Sequence, residues 1–336
     1  MPPTTIKPRN ILIFGATGTI GTYILNSLIT GKSHFNRLAI FTSPSTVENK
    51  ADTIADLKAR GVEVIVGDVR SEEDVWGAYK DIDTIISAVG RPVLADQITL
   101  LKLAARSPSV TWFFPSEYGT DIEYSPASAT EPTHQVKLQV RAAIREIVDA
   151  APTGGDGDAV GRLNYTYLVT GPYAEMYMGP GHAGLEGGGF DVVRREARVL
   201  GDGGGRVSLT AMGDVGTLLL SALLHPSTSL NRALKVNSFT TTPLAILAEF
   251  ERQTTTTDDN NKWTVSFTPL PNLRRLEKEA WESGAPNATV LTLRRIWTEG
   301  GTLYERRDNG DIGEPGVEGL EGVVRRVVRV QRGDGK

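Results

Sequence analysis

The stretch NILIFGATGTIG, residues 10–21, decides the fold. NILIF (10–14) is a continuous apolar run, the pattern of a strand buried on both faces of a parallel sheet. Gly15, Gly18 and Gly21 follow at intervals of three, with Thr17, Thr19 and Ile20 between them. Ile20, Ile24, Leu25, Leu28 and Ile29 then mark one face of a helix. In a strand–glycine turn–helix unit, backbone amides at the helix N-terminus can hold a pyrophosphate. Gly15 permits the sharp exit from the strand, Gly18 removes a Cβ that would block the ligand, and Gly21 lets the helix approach the sheet. Three glycines in a chain with 36 also fit a turn that holds nothing.

The unit repeats. LAIF (38–41), VEVIVG (62–67), DTIISAVG (83–90), SVTWFF (109–114) and YTYLVTG (165–171) read as strands. Residues 51–61, 71–80, 97–106 and 134–148 read as helices, the first stopped by Gly61 and the second opened by Ser71 and Asp74. This alternation predicts an α/β fold with a Rossmann-type doubly wound parallel sheet. Further on, 218–226 reads as a helix ended by Pro226, 234–239 as a strand and 244–253 as a helix. The stretches 152–161, 179–205 and 254–262 read as loops. Arg325, Arg326, Arg329 and Arg332 read as the solvated face of a last amphipathic segment. The expected division is a cofactor lobe over 1–170, to whose sheet 205–240 return, and a mainly substrate-binding lobe over 171–336.

Composition narrows the function. The 336 residues are 40% hydrophobic and 23% charged, with a net charge of −4. Nothing in that balance favours nucleic acid or an anionic membrane. Cysteine is absent, which excludes disulfides, Fe–S clusters, Cys-ligated zinc and thiol nucleophiles. The four histidines, His34, His134, His182 and His225, contain no i, i+4 pair, so no metal site is expected. No apolar run has the length of a membrane span, and MPPTTIKPRN at the N-terminus lacks an apolar signal core. A cytoplasmic protein is expected, as monomer or homodimer.

The second strand ends Phe41-Thr42-Ser43-Pro44-Ser45, where an NAD site would place an acid for the ribose diol. Thr42, Ser43 and Ser45 offer hydroxyls to a 2′-phosphate instead, and Lys50 adds charge, so NADP (as NADPH) is preferred. Asp68, after the third strand, is placed to meet the adenine or simply to serve a helix N-terminal loop. Gly31-Lys32-Ser33 follows a helix instead of preceding one, unlike a phosphate loop.

Pro115-Ser116-Glu117-Tyr118-Gly119 stands at the end of the fifth strand, where open α/β sheets bind ligands. Lys137 lies in the first turn of the helix that follows, with Arg141 and Arg145 on the same stripe. Neighbouring cations would lower the lysine's pKa toward neutral and suit it to proton transfer. A solvated surface lysine is the other reading.

GATGTIG, SAVG (87–90), Asp96-Gln97, FFPSEYGTD (113–121) and Lys137 followed by VRAAIRE (140–146) resemble the isoflavone reductase-like branch of the atypical short-chain dehydrogenase/reductases, within the wider NmrA-like group. The resemblance covers about residues 10–178 and returns at 201–216. It implies NADPH-dependent reduction of an aromatic or conjugated small molecule (a quinone methide, enone or carbonyl) in secondary metabolism. It implies cofactor contacts from Ser87, Ala88, Val89, Gly90, Gln97, Pro115, Ser116 and Pro172 besides the glycine turn. Lys137 would hold the nicotinamide ribose and act as acid or base. Thr133 occupies the place of the tyrosine in a YxxxK motif, so Lys137 must do the proton chemistry or a tyrosine must reach in from elsewhere. The group's arginine after the second strand is replaced by Thr42-Ser43, which leaves dual cofactor use open. The group's Asn-x-Phe pattern after the sixth strand is replaced by Gly171-Pro172-Tyr173, followed by Met176-Tyr177. Glu117, Tyr118, Tyr173, Met176 and Tyr177 are the candidate substrate contacts; packing between the lobes is the alternative for the last four. Two other functions stand beside the reductase: an NmrA-like NAD(P)-sensing regulator without catalysis, and, less favoured, an epimerase.

Overall fold

The computed structural model describes residues 6–150, 163–181, 185–255, 262–304 and 306–334. The predicted loop 152–161, and most of the one at 254–262, lie outside the described residues.

The strands are β1 (Asn10–Phe14), β2 (Arg37–Thr42), β3 (Glu63–Val66), β4 (Thr84–Ser87), β5 (Trp112–Phe114), β6 (Asn164–Val169), β7 (Gly189–Asp191), β8 (Glu196–Leu200), β9 (Val207–Leu209), β10 (Arg232–Lys235), β11 (Phe239–Thr241) and β12 (Thr264–Thr268). The helices are α1 (Thr19–Thr30), α2 (Pro44–Asn49), α3 (Ala51–Ala59), α4 (Glu72–Ala78), α5 (Gln97–Arg106), α6 (Gln135–Asp149), α7 (Ala174–Met178), α8 (Met212–Leu224), α9 (Pro226–Ser229), α10 (Pro243–Thr254), α11 (Leu270–Glu282), α12 (Ala288–Thr298) and α13 (Leu320–Arg332).

Seven strands form one sheet in the order β10-β6-β5-β4-β1-β2-β3, and every pairing in it is parallel. The chain builds outward from β1 to β3, then crosses back to β4 on the other side. The reversal leaves a crevice at the carboxyl ends of β1 and β4, the ligand position of such sheets. Side chains alternate across β1. Ile11 and Ile13 pack with Ile24 and Leu28 of α1 and Leu219 of α8; Leu12 and Phe14 pack with Val75, Tyr79, Leu100 and Ile144. Each fully buried aliphatic or phenyl group contributes about 1.5–3 kcal/mol.

The remaining strands sit beside the large sheet. β7, β8 and β12 form a three-stranded sheet, and β9 pairs with β11. The stretch 179–205, expected to be loop, therefore carries two strands. Its glycines concealed them: Phe190, Ala197 and Val199 are buried against β12 and α10 although little local alternation survives. The helix expected at 218–226 begins earlier, at Met212, and Pro226 opens the short α9 instead of merely ending its predecessor. The strand expected at 234–239 is split between β10, which joins the main sheet beside β6, and β11, which does not. α13 buries Val323, Val324, Val327 and Val328 against α7 and α10 and turns Arg325, Arg329 and Arg332 outward, whereas Arg326, expected on the same solvated face, is half-buried and pairs with Glu175 of α7 at 2.6 Å.

Candidate functional site

Two cavities run along the carboxyl ends of the strands. The narrower, 210 Å³, lies over the ends of β1, β2 and β3. The wider, 510 Å³, extends from the start of α1 past the β5 loop to α12. Val89 and Gly90 belong to both walls, so the two cavities adjoin there.

The glycine turn shapes the junction. Gly15 has φ of +74°, and a Cβ there would stand 2.5 Å from the Ala88 carbonyl oxygen. A Cβ at Gly21 would stand 2.0 Å from the Gly15 carbonyl oxygen. Only hydrogen fits at either position, and α1 is thereby seated on the end of β1. No side chain caps α1, so its first-turn amides face the groove. Gly15 and Thr17 line the narrow cavity with Thr42, Ser43 and Asp68, while Gly18, Thr19 and Ile20 line the wide one with Ala88.

Several expected cofactor contacts have other tasks. The Ser43 hydroxyl accepts from the Thr46 amide at 3.2 Å and caps α2, and Ser45 bonds to Ser43 at 2.9 Å. Lys50 donates to the Thr17 carbonyl at 2.7 Å, which steadies the glycine turn from outside. Neither Ser45 nor Lys50 lies on a cavity wall. Ser87 and Pro115 are buried behind the walls. Gln97 is buried too: its Oε1 accepts from the Ser116 amide at 2.8 Å and its Nε2 donates to Leu94 at 3.1 Å. The Ser116 hydroxyl donates to the Val89 carbonyl at 2.9 Å. These bonds staple the β4 and β5 loops together. Ser116 and Pro172 do line the wide cavity.

Lys137 enters the wide cavity from the first turn of α6, and its Nζ donates to the Glu117 carbonyl at 2.5 Å. Burial is the main reason its pKa falls to about 8; Glu117 opposes the fall, and the Arg91 and Arg141 cations add to it. The cause expected from sequence, adjacent arginines, is thus the lesser one. Arg141 is matched by Glu117 at 2.8 Å and Glu123 at 2.7 Å, and Arg145 pairs with Glu123 at 3.1 Å.

That pairing bears on the reading of Glu117. Its carboxylate is buried, with Oε1 in the ion pair with Arg141, whose guanidinium stacks on Tyr167 at 4.3 Å, while among the described residues Oε2 has no partner. Tyr118, Tyr173 and Met176 line the cavity. The Tyr173 hydroxyl donates to the Tyr118 carbonyl, while the Tyr118 hydroxyl is buried with no partner among the described residues. Burial pushes both phenols up in pKa. Tyr177 is elsewhere: it packs under the Arg294 guanidinium at 4.7 Å and beside Trp297, off the cavity wall.

The far wall escaped the sequence reading. Thr289, Val290, Leu293 and Trp297 come from α12, and the Trp297 indole donates to Thr120 at 2.8 Å. Arg91, Thr133 and His134 also line the cavity unanticipated. The apolar period of α12 was available as a signal; that it faces the loop after β5 was not.

The chain belongs to the NmrA-like family, whose model matches residues 7–273. It is 30% identical over 238 residues to an isoflavone reductase of Pisum sativum, covering 68% of this chain and 70% of that one. It is 31% identical over 226 residues to a phenylcoumaran benzylic ether reductase of Pinus taeda, covering 67% of each. Within the family the chain falls with the isoflavone reductase-like oxidoreductases. A crystal structure of isoflavone reductase superposes with TM-score 0.75 at 23% identity, over 95% of this chain and 99% of that one. Leucoanthocyanidin reductase of Vitis vinifera, solved with NADPH, superposes with TM-score 0.73 at 18% identity over the same shares. These two establish likeness of fold. Among the described residues no helix is long and apolar enough to cross a membrane.

Proposed function

We propose that the protein is an NADPH-dependent reductase acting on an aromatic or conjugated small molecule, with Lys137 as the proton donor. The observation that carries the reading is the place of Lys137: a half-buried ammonium whose pKa falls to about 8, in a cavity that shares Val89 and Gly90 with the glycine-turn groove. The residues fit a dinucleotide. The glycine turn opens a cradle that side chains would fill, free helix amides face it, and Thr42, Ser43 and Thr46 put hydroxyls at its narrow end. When bound, the cofactor supplies hydride. Thr17, the α1 amides and Val89–Gly90 would hold it along the groove. Tyr118, Tyr173 and Met176 on one wall and Val290, Leu293 and Trp297 on the other exclude water and orient a flat apolar substrate. The Lys137 ammonium gives its proton to the oxygen or carbon that becomes negative, and the Glu117 carbonyl holds Nζ for that transfer.

The test is a fluorescence titration with NADPH and with NADH, on wild type and on Lys137→Ala. Tighter binding of NADPH supports the role of the Thr42–Thr46 hydroxyls. Binding without turnover in Lys137→Ala, across a panel of conjugated aromatics that wild type reduces, supports the assignment of the proton donor. Unchanged turnover in that variant overturns it.

A further inference from the structure

His134 closes the short turn Pro132–His134 and stands one helical turn ahead of Lys137. The residue is 2% exposed and forms part of the wide cavity's wall. Nδ1 lies 3.0 Å from the Ser128 hydroxyl oxygen and 3.3 Å from the Ser128 carbonyl oxygen. A carbonyl oxygen can only accept, and the Ser128 hydroxyl gives its own proton to the Ile122 carbonyl. Both contacts therefore require the imidazole proton on Nδ1. Burial lowers the pKa of the ring, which favours its neutral form. Nε2 then carries a bare lone pair.

That lone pair is buried and has no donor among the described residues. Lys137, the nearest cation along the chain, is turned to the Glu117 carbonyl. Tyr124 meets the imidazole edge-on at 6.4 Å between ring centres and supplies no hydrogen bond. The hydroxyl of the adjacent Thr133, another residue of the cavity wall, is likewise buried with no partner among the described residues. A buried acceptor left unmatched costs stability, and on a cavity wall a ligand donor can satisfy it.

We propose that His134 Nε2 accepts a hydrogen bond from a hydroxyl of the substrate, so that the cleft selects a phenol or enol over the same molecule O-methylated. The proposal rests on the reductase reading of the cavity. A site built to bond a hydroxyl rejects the analogue that lacks it, because its own buried polar atom is then left unpaired. Lys137 and His134 thus divide the work: one donates to the reacting end, the other accepts from a recognition group.

The experiment uses the full chain saturated with NADP+, titrated with para-substituted phenols and their methyl ethers, para-vinylphenol and para-methoxystyrene among them. The phenols are expected to bind at least about ten-fold more tightly than the ethers. His134→Leu should abolish that preference and His134→Gln, whose Oε1 can take the place of Nε2, should restore it, with NADPH affinity unchanged in both. Imidazole nitrogen NMR of the wild-type complex should show His134 protonated on Nδ1, with Nε2 shifting when a phenol is added. Equal binding of phenols and ethers overturns the proposal. So does Nε2 protonated in wild type, a readout that needs no variant to fold. Absence of phenol binding up to about 5 mM, in protein that binds NADPH, overturns it as well. Failure of wild type to bind NADPH brings down the reductase reading itself, and this proposal with it.

Discussion

The ammonium of Lys137 is held by the main-chain carbonyl of Glu117, and the side chain of the same Glu117 is held by Arg141. One residue thus aims the proposed proton donor with its backbone and anchors itself with its carboxylate. Arg141 lies one turn beyond Lys137 on α6, so the loop after β5 is clasped twice by one helix.

Breaking the clasp should be costly. Arg141→Met leaves a buried carboxylate uncompensated, which destabilises by about 3–5 kcal/mol. Glu117→Gln with Arg141→Met should recover part of that loss, because no charge is then stranded. Denaturant unfolding of the two single variants and the pair measures the coupling.

The lysine's lowered pKa makes stability depend on pH. Its unfolded value is about 10.4, and its folded value is about 8. Between them the unfolded chain binds more protons, so Lys137's contribution to stability rises with pH across that window and is most unfavourable below about pH 8. Lys137→Met should remove this component of the rise. Urea midpoints of wild type and variant, followed from neutral pH to the upper end of the window, provide the comparison.

Turnover should follow the same group in the opposite sense. Proton donation requires the ammonium, so kcat/KM for reduction should fall above about pH 8 with a one-proton limb. Arg91→Gln removes a cation that lowers the lysine's pKa. Its limb should therefore move to higher pH, and a limb that stays put would show that Arg91 does not act on Lys137.

The glycines of the turn should separate by role. Gly21→Ala forces a Cβ to 2.0 Å from a backbone oxygen. It should cost about 1–3 kcal/mol of stability together with cofactor affinity. At Gly18 the added Cβ would stand 3.2 Å from the Gly15 carbonyl oxygen. Gly18→Ala should therefore keep more of its thermal stability than Gly21→Ala while still binding NADPH more weakly. Melting curves and cofactor titrations on the same samples distinguish the two effects.

The βα register was legible as far as β6 because each strand there holds a short apolar stretch near a turn or helix signal. NILIF and TWFF need no partner to be recognised. Strands β7, β8 and β12 were not legible, because such short segments form a sheet only once β12 pairs with β8 across a long stretch of chain. The same holds for the site. PSEYG and Lys137 sit on local landmarks of the sheet, whereas Tyr177 and Met176, one residue apart, part company according to how α7 rotates. His134 looked like any isolated histidine until Ser128 folded back beside it.

The last strand of the main sheet comes late in the chain. β6 lies between β5 and β10, and β10 begins only at Arg232. On the ribosome the outer side of β6 must wait, with its row of amides and carbonyls open, while α7, β7, β8, β9 and α8 are made. Parallel pairing across so long a gap forms slowly, and an uncovered strand edge invites association with other chains. Chains shortened before β10 should therefore emerge as aggregates. In the complete protein, closing that edge is the step most open to help from a chaperone.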